Sequence, residues 1–122
     1  MDARAVALVI AAGRIAIGAA LMLVPGRVAT GWIGSPGAEP GPQVLTVATG
    51  ARDLAVGAGT AIALRSGSSA RTWVLAGAFA DVADLAATVR YRAAIPKPAA
   101  IGVAALTVIG AAGSLFAASR LD

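Results

Sequence analysis

Arg52 and Asp53 stand side by side in the middle of Thr46-Val-Ala-Thr-Gly-Ala-Arg-Asp-Leu-Ala-Val-Gly-Ala-Gly-Thr60, a stretch otherwise apolar enough for lipid. No other feature constrains the fold as much. A charge at the centre of a bilayer costs about 2.5–3.5 kcal/mol on insertion scales, so the pair needs partners inside the protein. The other apolar stretches offer Arg14, Asp81 and Asp84. The expectation is an all-α fold: an integral membrane protein, a four-transmembrane-helix bundle built around a buried ionic cluster.

Composition agrees with that solvent. The chain has 122 residues, of which 58% are hydrophobic and 13% charged, with a mean hydropathy of +0.82. A water-soluble domain carries about 25% charged residues. The length suits a single domain over 1–122. There is no cysteine and no histidine. Disulfides, thiolate metal sites, His-ligated haem and Ser-His-Asp catalysis are excluded, and neither cofactor nor metal is expected. The net charge of +4 comes from basic residues scattered mostly at the ends of apolar segments. Membrane proteins hold them there, so the partner implied is the lipid bilayer and no nucleic acid. The Ala- and Gly-rich composition, with nine arginines to one lysine, resembles coding bias in a high-GC bacterial genome. The expected location is a bacterial inner (cytoplasmic) membrane, multi-pass.

Four spans are expected at about 5–24, 44–64, 72–89 and 99–119. Arg14 interrupts the first, and Pro25-Gly26-Arg27 ends it without a small-x-small pattern, so cleavage as a signal peptide is not expected. Residues 27–43 hold Pro36, Pro40, Pro42 and four glycines, too many for a long helix. Within them Val28–Ile33 reads either as a short interfacial segment with Trp32 at headgroup level or as a plain loop. Residues 66–70 form a polar turn, and Pro96-Lys97-Pro98 precedes the last span. Trp73 and Arg90-Tyr91-Arg92 anchor the two ends of the third. Both termini fall on one side. The flanking positive residues divide evenly, so the positive-inside rule leaves orientation open.

The charged residues sit near the middle of their spans. With about 1.5 Å of rise per residue, most of them fall at one depth. Thr46, Thr49, Asp53, Gly57 and Thr60 form one helical stripe, and Gly77, Asp81, Asp84 and Thr88 another. Gly18 shares a face with Arg14. Glycines beside the charges let helices approach closely, and Gly102, Gly110, Gly113 and Ser114 make the uncharged fourth helix a packing partner. Arg52 and Asp53 point about 100° apart, so Arg52 or Arg14 is expected to bridge to Asp81 or Asp84. Two arginines and three aspartates sum to −1 if all ionise. The aspartates are therefore expected to share one proton, with Asp81 and Asp84 its holders. Such an arrangement either fixes helix register or forms a functional site.

Gly13-Arg14-x-x-x-Gly18, Gly50-Ala51-Arg52-Asp53-x-x-x-Gly57 and Asp81-x-x-Asp84 together resemble a family of small four-span bacterial membrane proteins of unknown function, distantly DoxX-like. The resemblance covers most of the chain. It implies a four-helix membrane fold and no settled activity. Some DoxX-like proteins accompany quinone-linked oxidoreductases, but no residue here matches a redox centre.

The leading functional expectation is a midplane site for a lipophilic small molecule. Its acid–base catalysis would suit epoxide opening, double-bond isomerisation or cyclisation. In that reading Asp81 is the acid and Asp53 the base, and Arg14, Arg52 and Asp84 set their protonation. The alternatives are a proton or ion pathway in a homo-oligomer, and an accessory subunit of a larger membrane complex. A substrate-sized cavity favours the first, a continuous polar path the second and a filled core the third.

Overall fold

The computed structural model describes residues 2–121, and no strand occurs among them. The helices are α1 (Ala3–Leu23), α2 (Pro25–Ile33), α3 (Pro40–Ser66), α4 (Arg71–Arg90) and α5 (Lys97–Ala118), with 3-10 turns at Ser35–Ala38 and Arg92–Ala94. The four expected spans correspond to α1, α3, α4 and α5, each extended by one to four residues at its start. The largest shift is in α3, which begins at Pro40 rather than Val44. Prolines 40 and 42 fall in its first turn, where the missing N–H has no helical partner to lose. For the same reason Val28–Ile33 is a short helical segment and not a plain loop. It belongs to α2, which Pro25 starts at its first position.

Local chemistry sets the ends. Asp2 caps α1 by accepting from the Arg4 N–H at 2.9 Å. Gly67, with φ at +72°, ends α3 in the left-handed conformation, and the Ser68 N–H returns to the Ala63 carbonyl at 3.0 Å.

The long helices alternate in direction and pack in a ring in the order α1, α3, α4, α5. The pairs α1/α3 and α4/α5 are the most extensive contacts. Gly18 and Gly50 explain the first: a Cβ on either would lie 2.7 Å from the other's carbonyl oxygen. At one end of the ring Ala7, Ala63, Leu64, Ala70, Val74, Ala117 and Ala118 form a dry apolar cluster. There the Arg4 guanidinium donates to the Leu64 carbonyl, and Arg71 Nε donates to that of Ala118 at 3.1 Å. At the other end α2 rests on α1, α3 and α5. Its return to α3 requires Gly37 to lie against the Ala29–Thr30 backbone.

The distribution of side chains is the reverse of a water-soluble bundle. The buried residues are mostly Ala, Gly, Thr and the charged groups, whereas Val9, Phe79, Leu23 and Ile109 are 69–80% exposed. Three helices, α1, α4 and α5, are long and apolar enough to cross a membrane. α3 has the length, but Arg52 and Asp53 interrupt its apolar run.

Candidate functional site

All five charged residues expected to form the site meet in one unbranched chain of ion pairs: Asp81, Arg14, Asp53, Arg52, Asp84. Arg14 projects from the middle of α1. Its Nη1 donates to Asp53 Oδ1 at 3.0 Å, and its Nη2 donates to Asp81 Oδ2 and to the Gly77 carbonyl, both at 2.6 Å. One side chain thus ties α1 to α3 and α4. The absent side chain of Gly77 makes the room, because a Cβ there would lie 3.0 Å from Arg14 Nε. Arg52 grips Asp84 with both terminal nitrogens, at 3.0 and 2.6 Å, a bidentate pair between α3 and α4. Its Nη2 also reaches Asp53 Oδ1 at 3.3 Å.

Asp53 Oδ1 is therefore the shared acceptor of two guanidiniums, and both arginines bridge to α4, one to each aspartate. The Arg52–Asp84 end of this chain is the more open one: the side chains of Arg52 and Asp84 are 35% and 22% accessible, that of Arg14 8%. Two carboxylate oxygens, Asp53 Oδ2 and Asp81 Oδ1, accept no hydrogen bond from the described residues. Neither is fully enclosed. Among the described residues, the enclosed side-chain polar atoms lacking a partner are Arg52 Nε, Thr88 Oγ1 and Ser114 Oγ.

Asp53 and Asp81, which carry the open oxygens, line a crevice of about 300 Å³. Arg14, Asp53, Asp81 and Asp84 line its floor. Its walls are apolar side chains of α1 and α5, among them Ile10, Ile17, Val103 and Leu106, and Trp32 of α2 stands at one end. Its rim includes the outward-facing Val9 and Ile109, so it opens sideways through the α1/α5 seam. Behind Arg14 lies a second void of about 10 Å³, lined by Thr60 and Ser114, room for about one water. Beyond it comes the apolar cluster.

The threonine stripes divide. Thr46, Thr60 and Thr107 donate to carbonyls of their own preceding turns at 2.8–2.9 Å, while Thr49 lines the crevice. On α5, Gly110 and Ser114 face the interior, but Gly102 has nothing within 4 Å of a built Cβ and makes no close packing contact. The sequence pattern alone does not reveal the part of the site made by Trp32, Val103 and Leu106. The proline at the first position of α2 is the one signal that could place Trp32 on a helix. Among the described residues no cluster of Asp and Glu could hold a metal ion.

No protein-family model matches this chain, and comparisons with curated proteins and with solved structures give no significant match.

Proposed function

We propose that the chain is a four-span membrane protein whose crevice binds a lipophilic small molecule at mid-depth and acts on it by acid–base chemistry. One observation carries this reading: an apolar crevice of about 300 Å³ opens on the lipid-suited face of the helices and ends on the ionic chain. That volume is at the lower limit of small-molecule pockets. α3 supplies the fourth span. Its 27 residues reach about 40 Å, and its two mid-helix charges are paired inside the ring. The resemblance of the Gly-Ala-Arg-Asp motif to the DoxX-like family supports the four-helix membrane fold and nothing about activity. A bacterial inner membrane suits the composition.

In this reading Asp81 donates a proton to the ligand and Asp53 accepts one, each through its free oxygen. Arg14 holds both carboxylates in place, and Arg52 with Asp84 fixes the far side of Asp53. The pathway alternative calls for a polar route to both ends, and the apolar cluster around Ala7, Leu64 and Val74 argues for a closed end. The accessory-subunit alternative calls for a filled interior, against which the crevice argues.

Gly13 allows a clean test. It lines the crevice, and a Cβ there would meet nothing within 4 Å, so Gly13→Phe is a way to add bulk at the crevice without a clash at Cβ. Native mass spectrometry of the purified protein should find a lipophilic molecule retained by the wild type and lost from Gly13→Phe at equal thermal stability. Identical spectra for the two proteins would overturn the proposal.

A further inference from the structure

The unused hydrogen-bonding groups at the crevice floor indicate what head group it takes. We infer that the crevice binds a lipophilic amine in its protonated form. The inference rests on the small-molecule reading above and narrows it to one chemical class.

The open groups of the lining include more charged acceptors than charged donors. Arg14 is its one cationic group, and both terminal nitrogens of that guanidinium already donate, to Asp53, Asp81 and the Gly77 carbonyl. Arg52, which would have offered more donors, does not line the crevice; it is turned to Asp84 and Asp53. Thr107 commits its hydroxyl proton to the carbonyls of Val103 and Ala104, at 2.9 and 3.0 Å. What remains open is Asp53 Oδ2 and Asp81 Oδ1, with the hydroxyl of Thr49 and the indole N–H of Trp32 as neutral groups.

Charge points the same way. Three aspartates and one arginine line the crevice, and the whole ionic chain has three carboxylates against two guanidiniums. The charged groups facing this chain come from α1, α3 and α4; α5 brings only Gly110 and Thr107 to the floor. A carboxylate or phosphate head would meet like charge and find few donors, in a setting of low dielectric where both penalties grow. A hydroxyl head would satisfy one oxygen and bring no charge. An ammonium brings three donors and no acceptor; formed when a neutral amine takes the one proton that the aspartates share, it balances with its own charge the three carboxylates and two guanidiniums left behind. The apolar walls take the ligand's hydrocarbon.

The test compares three nitroxide-tipped alkyl chains of matched length, with amine, hydroxyl or carboxyl heads. Each is titrated at neutral pH into the protein in zwitterionic lipid nanodiscs while Trp32 fluorescence is followed in a Trp73→Phe background. Gly13→Phe reports unspecific partitioning. The amine should quench saturably, with an apparent dissociation constant at least about tenfold below that of the alcohol, and the acid should only partition. Asp53→Asn, which keeps the shape and removes the charge, should bring amine and alcohol together. If the alcohol or the acid binds as well as the amine, the cation inference fails while the small-molecule reading stands. If none of the three saturates, both fail. The wild-type ranking decides even if Asp53→Asn does not fold.

Discussion

Gly110 of α5 lies against Asp81 of α4: a methyl group on Gly110 would stand 2.5 Å from Oδ2 of that carboxylate and 3.0 Å from its Cγ. Oδ2 is the atom that accepts from Arg14. A close α4/α5 approach and one end of the ionic chain are therefore the same place. Gly110→Ala must move either the helix or the carboxylate, and a loss of about 1–3 kcal/mol is expected. Gly102→Ala, on the same helix with open space, should be neutral or gain up to about 1 kcal/mol. Unfolding of both variants in matched micelles would check this, and equal stabilities would refute the close approach.

Gly18 should be less forgiving still. A Cβ there would meet backbone, 2.7 Å from both the Gly50 oxygen and the Leu54 nitrogen, and backbone cannot rotate aside as a carboxylate can. Gly18→Ala is expected to lose at or above about 3 kcal/mol. The same unfolding measurement gives the ranking Gly18 above Gly110 above Gly102.

Asp53 holds both arginines, so its loss should be the most damaging of the three aspartates. Asp53→Asn is expected to cost about 3–5 kcal/mol, the range for breaking a buried pair. Asp84→Asn should cost less, because Arg52 is 35% accessible and can turn to solvent or headgroups. Replacing Arg14 and Asp81 together by Met and Leu should be milder than the sum of the two single changes. A double-mutant cycle with no coupling would contradict the Arg14–Asp81 pair.

An aspartate that donates a proton must hold one before the ligand arrives, and the charge count leaves place for one. Infrared spectra at pH 7 should show a protonated-carboxyl C=O band that Asp81→Asn removes and Asp2→Asn leaves alone; Asp84, with both oxygens held by Arg52, is no longer a candidate holder. Absence of the band between about pH 6 and 8 would remove the proposed acid.

The wild-type chain has no cysteine, so single cysteines report sidedness without background. Ser68 joins α3 to α4 and Ala38 ends the 3-10 turn before α3. If all four long helices cross the bilayer, labelling of intact vesicles from one side should reach only one of Ser68→Cys and Ala38→Cys. Equal labelling of both would refute four spans.

The ionic chain was legible in the sequence because its members, single or in pairs, lie inside apolar runs, where a charge without a partner would be too costly to keep. Its order was not. Which arginine takes which aspartate depends on how far Arg14 reaches between α3 and α4, and that is set by the absent side chain of Gly77. The crevice was hidden by a different cause. Its rim is made of residues such as Val9 and Ile109 that a helical pattern reads as lipid-facing, and the α1/α5 seam turns them into a lining. α2 was obscured because Gly and Pro count against helix in a window average, although Pro25 and Pro40 stand where they favour a helix start.

The apolar cluster that closes one end of the ring makes the crevice a cul-de-sac. In the proposed reading, a ligand that enters between α1 and α5 leaves by the same doorway, since Ala7, Ala63, Ala117 and their neighbours close the ring beyond Arg14. Arrival and departure then exclude each other. If the proposed chemistry is carried out there from lipid, a product slow to dissolve into that lipid would hold the doorway against the next substrate, and turnover would follow the membrane's appetite for the product more closely than the speed of any proton transfer inside.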